Sequence, residues 1–314
     1  MNITPSNNPH LIGYNKSFLN FKNLFDNKLL PNKIIFSGDN GIGKSTLAYH
    51  LINYIFSKNE DNKYDSLKNL ISTNNRSYNL IINNSHPNFF LITNEDDKKN
   101  IQISKIREMI SFTNKSSFND DYKIILINNV EYLNINSINA LLKVIEEPNN
   151  KILFFLIHNN KTKILETLKS RCITFNLYLN KENKLEIINK LLDSSFYNEL
   201  NDDFKNNYNS PGDIIALYNF FKTHNIESNI SIEDLLKLII EKKLYKKDLF
   251  LRDKISFLIE LYFNKKLFYF KSKDNIYNLY KYFLLKVDNC NKYNLDIENV
   301  LIELNGRLID EQIL

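Results

Sequence analysis

Tryptophan is absent from the 314 residues, cysteine occurs twice, alanine three times, arginine five times and glycine six times. Two cysteines, Cys172 and Cys290, exclude a disulfide scaffold and a four-cysteine zinc site. They suit a reducing, cytoplasmic setting. No apolar run approaches the length of a membrane span. The opening MNITPSNNPH has neither a basic stretch nor an apolar one, so no secretory leader is expected. The charge excess of 41 minus 36, or +5, is too small to argue by itself for a nucleic-acid binder.

What replaces the missing types is asparagine, 52 of 314 residues, and lysine. Asparagine is scattered among Ile, Leu, Phe, Tyr and Lys rather than collected in tracts. This pattern reads as drift toward AT-rich codons. In such an alphabet each glycine, alanine or arginine carries more information than usual. The apolar fraction of 43% and charged fraction of 25% are those of an ordinary globular chain whose length suits two or three domains.

Hydrophobic periodicity divides the chain into two regimes. Up to about Leu179, short apolar runs alternate with helical patterns. Strands are predicted at Lys33 to Phe36, Asn88 to Ile92, Tyr122 to Ile127, Ile152 to Ile157 and Ile173 to Leu177. Helices are predicted at Lys16 to Leu24, Lys44 to Phe56 and Ile101 to Thr113. Another runs from an Asn134 cap to a stop at Pro148, and a short one ends near Lys169. Strands separated by helices imply right-handed crossovers and a parallel sheet. Beyond Leu179 only helical patterns appear, with a turn expected at Pro211-Gly212 and a polar linker over 224–230. Ser231 with Asp234 resembles a capping box that opens a further helix.

Gly38-Asp-Asn40-Gly41-Ile-Gly43-Lys44-Ser45 matches G-x-x-x-x-G-K-[ST], between an apolar strand and a helix. Glycines let backbone amides turn toward phosphate oxygens, and the helix N-terminus adds partial positive charge. Gly38, Asn40, Gly41, Gly43, Lys44, Ser45 and Thr46 are the candidate nucleotide-binding residues. Lys44 would reach the outer phosphates, and Ser45 would hold Mg²⁺. A P-loop ATPase also needs a carboxylate at the end of a neighbouring strand. Here the third strand ends in Asn128-Asn129, a degenerate acidic motif. Neither asparagine can bind Mg²⁺ tightly or take a proton from water. Glu131 is acidic but lies beyond the strand end. The expectation is ATP or ADP binding with weak or absent Mg²⁺ and no competent hydrolysis. His86 and His158 have no nearby cysteine or acid in sequence and read as structural.

Asn139-Ala-Leu-Leu-Lys-Val-Ile-Glu146-Glu147-Pro148, followed by an apolar strand and Thr167-Leu-Lys-Ser170-Arg171-Cys172, carries a resemblance. So do Leu30-Pro31 and His86-Pro87 before the first and second strands. The chain resembles the AAA+ clamp-loader subunits of bacterial DNA polymerase III, gamma/tau and delta-prime, over about residues 9 to 178. The resemblance implies a P-loop AAA+ α/β domain with a parallel five-stranded sheet (1–178), a helical lid (179–225) and an all-α collar for oligomerisation (226–314). It implies membership of a hetero-oligomer with gamma/tau and delta subunits, which loads a sliding clamp on primed DNA. It also implies that Arg171 acts in trans on a neighbour's ATP.

The departures favour the delta-prime type, with no intrinsic activity of its own. They are Asn128 and Asn129, Gly212 where a phosphate-sensing arginine is implied, the absence of cysteine over 47–100 and hence of zinc, and an end at Leu314. A hydrolysing gamma/tau-type subunit and an unrelated P-loop kinase are the alternatives. Arg107 matches a position of the resemblance without an assigned role.

Overall fold

The computed structural model describes residues 4–94, 100–147, 151–192, 196–205, 209–246, 248–269, 273–293 and 295–309. It divides into two compact units. The first comprises Met1–Ile187 with Ser210–Gly212, and the second Ile188–Asn209 with Asp213–Leu314.

In the first unit the strands are β1 (Lys33–Gly38), β2 (Phe89–Ile92), β3 (Lys123–Ile127), β4 (Ile152–Asn159) and β5 (Ile173–Asn176). All neighbours pair in parallel, in the order β2-β3-β4-β1-β5. The central strands are continuous apolar runs because both faces of the sheet are covered. Alternate residues serve opposite sides. Ile34, Phe36, Leu126 and Phe155 pack on one side with Phe18 and Phe21 of α1 (Asn15–Asp26) and Leu47 and Leu51 of α2 (Lys44–Phe56). Ile35, Ile125, Phe154 and Leu156 pack on the other, with Ile106 and Met109 of α4 (Ile103–Thr113) and Ile138, Leu141 and Ile145 of α5 (Ile135–Glu146). The expected parallel five-stranded α/β sheet is therefore present, with helices on both faces.

Asparagine does local work in this chain. Asn134 caps α5 by accepting from the Ser137 amide at 2.8 Å, and Asn75 caps α3 (Arg76–Ile82) by accepting from Tyr78 at 2.7 Å. A carboxamide oxygen satisfies one of the four unpaired amides at a helix start, as an aspartate would, without adding charge. Helix α5 ends at Glu146. Pro148, the expected stop, lies outside the described residues. A four-residue α6 (Glu166–Lys169) precedes β5.

The second unit is helical: α8 (Phe196–Glu199), most of α9 (Pro211–His224), α10 (Ile232–Glu241), α11 (Leu249–Tyr269), α12 (Lys273–Tyr293) and α13 (Glu298–Ile309). Helix α7 (Lys181–Leu191) runs across the division between the units. The expectation of separate helical parts meeting near residue 225 differs from the packing. Phe204, Leu217 and Phe221 share one core with Leu236, Leu258, Phe283 and Leu304.

The polar stretch 224–230 is not a loose linker either. Asn201 donates to the Asn229 carbonyl at 2.9 Å, and its amide donates to Ser228 at 3.1 Å. The Ser231 cap is as expected, with its hydroxyl accepting from the Asp234 amide at 3.1 Å. Pro211-Gly212 is not a turn between helices. It opens α9, where the missing proline amide would have been unpaired in any case.

Candidate functional site

The phosphate loop runs from the end of β1 into α2. Gly41 and Gly43 have φ of +74° and +91°, left-handed values that a β-carbon opposes. Gly38 meets a different demand, since a Cβ there would lie 2.6 Å from the Leu177 carbonyl oxygen. The loop is braced from the N-terminal lead, because the buried Tyr14 hydroxyl donates to the Ile42 carbonyl at 2.9 Å. Sequence reading missed this contact. A lone tyrosine 28 residues before its partner gives no local signal. Asn40 is exposed at the loop tip, and Thr46 is half-buried in the first turn of α2.

Lys44 is only 6% exposed. Its Nζ donates to the Gly38 carbonyl at 2.9 Å and to the Asp39 carbonyl at 2.5 Å. Burial pushes its pKa down to about 8, against the opposing pull of the Glu131 and Asp39 charges. Next to it, the Ser45 hydroxyl donates to Asn128 Oδ1 at 3.1 Å. The two residues predicted for the metal position are thus brought together. Both are neutral, and a divalent cation would find one hydroxyl and one carboxamide there instead of a carboxylate.

Asn129 does not join them. It sits at φ +54° and donates through Nδ2 to Asn94 Oδ1 at 3.2 Å. Glu131 comes nearer than its sequence position suggests. It lies within a single 3-10 turn, Val130–Tyr132, and its carboxylate accepts from the Asn159 amide at the end of β4, at 3.3 Å.

The histidines are fastened. His158 Nε2 donates to the Thr162 carbonyl at 2.9 Å, which leaves Nδ1 to accept from the Ser37 hydroxyl at 3.0 Å. His86 stacks on Phe56 with centroids 4.1 Å apart and accepts from the Asn88 amide at 3.2 Å. Arg107 is exposed on α4. Among the described residues no group of three or more His, Cys, Asp or Glu gathers as metal ligands. No described helix is long and apolar enough to cross a membrane.

Arg171 lies away from the phosphate loop, in the turn between α6 and β5. Its Nε donates to Glu146 Oε1 at 2.5 Å, and its Nη1 donates to the Thr167 carbonyl at 3.0 Å and weakly to Ser170 Oγ at 3.5 Å. The side chain is 40% exposed. The Nε and Nη1 donors are thus taken up within the chain, while the fixed positive charge of the guanidinium stays partly exposed. The neighbouring Cys172 thiol is pushed up to about 11 by burial and is inert at neutral pH.

A glycine-rich loop closing a parallel strand, with a lysine and a serine at the head of the next helix, defines a P-loop α/β protein. The chain belongs to the DNA polymerase III, delta subunit family, whose model matches residues 13–181. The DNA polymerase III subunit delta' of Pseudomonas aeruginosa is 31% identical over 78 residues, 25% of this chain and 24% of that protein. The chain therefore matches about a quarter of this curated relative's length. Among solved structures, a DNA polymerase III gamma subunit-related protein of Thermotoga maritima is similar over 92% of this chain and 99% of its own, with 16% identity and a TM-score of 0.48. The Thermotoga maritima RuvB Holliday junction branch migration motor is similar over 76% and 81%, with 15% identity and a TM-score of 0.41.

Proposed function

We propose that this chain is a delta-prime type subunit of a DNA polymerase III clamp loader. In this reading it assembles with gamma/tau and delta subunits in the cytoplasm. It reaches the sliding clamp and primed DNA through that complex, and its own phosphate loop does not hydrolyse nucleotide. The observation that carries the reading is the pairing of an intact loop at 38–46 with a neutral metal position, Ser45 against Asn128. Loop amides and Lys44 can bind the phosphates of ATP or ADP. Without a carboxylate on the metal or the water, the chemical step lacks the groups that make it fast. Zinc has no part in this reading.

Arg171 supplies what the chain contributes to catalysis elsewhere. A permanently charged fork, braced by Glu146 and the Thr167 carbonyl, suits a developing charge on phosphate oxygens of a neighbouring subunit's ATP. The helical unit, Ile188–Asn209 with Asp213–Leu314, is the part we assign to assembly.

The test is co-purification with gamma and delta subunits, with nucleotide content and turnover measured. We expect a stable complex, weak to moderate adenine-nucleotide binding by the isolated chain, and negligible turnover. Steady-state hydrolysis by the isolated chain that Lys44→Ala abolishes would instead identify a gamma/tau-type ATPase.

A further inference from the structure

The sheet ends on one side at β5, Ile173–Asn176, which pairs with β1 alone. The Leu177 amide donates to the Ser37 carbonyl at 2.8 Å and sets the phase of that ladder. In a parallel ladder only alternate residues of a strand bond to a given neighbour. Ile173, Phe175 and Leu177 therefore face β1, and the N–H and C=O of Thr174 and Asn176 face away from the sheet. Among the described residues these outward groups meet no hydrogen-bond partner. Natural sheet edges are commonly blunted by lysine, proline, a bulge or a covering element. Ile173-Thr174-Phe175-Asn176 contains neither lysine nor proline, pairs with β1 residue for residue, and leaves Ile173 51% exposed.

On one face the sheet is hollow beside this edge. Thr174 and Asn176 lie in register with Ile35 and Ser37 of β1, so all four side chains share a side. They line a cleft of about 1430 Å³ together with Ile138 and Leu165, the latter 41% exposed. Polar groups in the cleft are already engaged. Ser37 and His158 bond to each other, and Glu131 accepts from the Asn159 amide. What the cleft still offers is the apolar surface of Ile35, Ile138 and Leu165.

We propose that β5 is a β-augmentation site, where an extended segment of a partner protein adds to the sheet as a further strand and sets large apolar side chains, at alternate positions, into the cleft. Backbone bonds to Thr174 and Asn176 attach the segment, and the cleft selects its side chains. Because β5 is short, few backbone bonds form and the cleft supplies the rest of the affinity. A second copy of this chain does not meet that requirement. Joined edge to edge by a two-fold axis, it pairs antiparallel and brings only its own Thr174 and Asn176 to that face, which are too small to fill the cleft. The chain leading into β5 exposes Lys161, Lys163 and Lys169 against Glu166, so the fitting segment carries acidic residues beside its apolar ones. This site uses neither the phosphate loop nor Arg171.

The test is selection of random peptides from a displayed library on the full chain, followed by titration and amide hydrogen exchange with the selected peptides. We expect apolar residues at every second position, acidic flanks, and exchange of the Thr174 and Asn176 amides slowed about tenfold or more at saturation. Methylating the peptide nitrogens of one alternate set should weaken binding about tenfold, and methylating the other set should not, since only one set faces the edge. Thr174→Pro removes an outward amide while sparing the ladder to β1, and should weaken binding about tenfold. Leu165→Asp should weaken it from within the cleft, and Arg171→Ala should leave it unchanged. If Thr174→Pro fails to fold, the methylated peptides and Leu165→Asp carry the test. No peptide enriched over the Thr174→Pro chain, or peptides that leave exchange at Thr174 and Asn176 unaltered, would overturn the site. A concentration-dependent dimer of the free chain that excludes the peptides would assign the edge to a second copy and overturn the partner segment.

Discussion

Replacing Arg171 by alanine should leave this chain's own stability almost unchanged while disabling ATP hydrolysis by another polypeptide. The local loss can be worked from the contacts. The ion pair with Glu146 joins groups that are 40% and 51% exposed, and exposed pairs contribute about 0.2–1 kcal/mol. The bonds from Nη1 to Thr167 and Ser170 lie at the same surface, where water replaces them. The chain should therefore lose about 1 kcal/mol or less. In NTPases generally, an arginine donated to the transferring phosphate is worth roughly 10³ to 10⁵ in rate, or about 4–7 kcal/mol of barrier.

The separation between those two figures is what the experiment reads. Arg171→Ala, assembled with gamma and delta subunits on primed DNA with clamp, should form the complex and lose DNA-stimulated ATPase and loading. Arg171→Lys should also be impaired, because an ammonium lacks the fork. Glu146→Ala should give a smaller loss, since it frees the guanidinium without removing it. An Arg171→Ala complex that assembles and keeps its ATPase and loading rates would refute the trans role. A fall of several kcal/mol in the chain's own stability would make Arg171 a structural residue.

Lys44 should make the fold more stable in mild alkali. Burial lowers its pKa from 10.5 to about 8, so between those values the unfolded chain binds more protons and stability rises with pH. Lys44→Met should remove that slope and stabilise the chain at pH 7 by roughly 3 kcal/mol at most, checked by urea midpoints. His50 should act at the acid end. Burial holds it down to about 3 from 6.5, so stability is lost as pH falls through that window, by up to about 1.4 kcal/mol per pH unit. A shallower slope between pH 6 and 4 in His50→Gln would locate the effect there, and an identical slope would remove His50 from the account. Gly43→Ala has space around the new carbon, 3.7 Å from Tyr14, yet it should cost about 1–2 kcal/mol because φ is +91°. Gly306→Ala, inside α13 and in open space, should stabilise by about 0.5–1 kcal/mol, and thermal melts compare the two.

Much of the fold is written locally. Helix α2 begins at Lys44 and ends at Phe56 as read, because a glycine-rich loop opens it and its apolar residues keep helical spacing. The apolar runs of β1, β3 and β4 are short and are bounded by polar residues or glycine that interrupt them. The caps at Asn134 and Ser231 need only three residues to be recognised. The phosphate loop is legible for the same reason, since its chemistry is contained in eight consecutive positions.

Other features depend on contacts that no local pattern reports. The strand order places β1 between β4 and β5, which are remote from it in sequence. Glu131 reads as misplaced until the turn after β3 brings its carboxylate to the Asn159 amide. Pro211-Gly212 reads as a turn because proline and glycine favour turns, yet tertiary packing makes the pair the first turn of α9 and sets Gly212 on Gly41. The Arg171–Glu146 pair joins a helix end to a turn 25 residues later. By itself the sequence determined the elements, the phosphate loop and its missing carboxylates, since propensity, periodicity and motif act over a few residues. Tertiary structure alone decided which distant side chains meet and what closes over the loop, because those contacts exist only once buried apolar faces have fixed where each element lies.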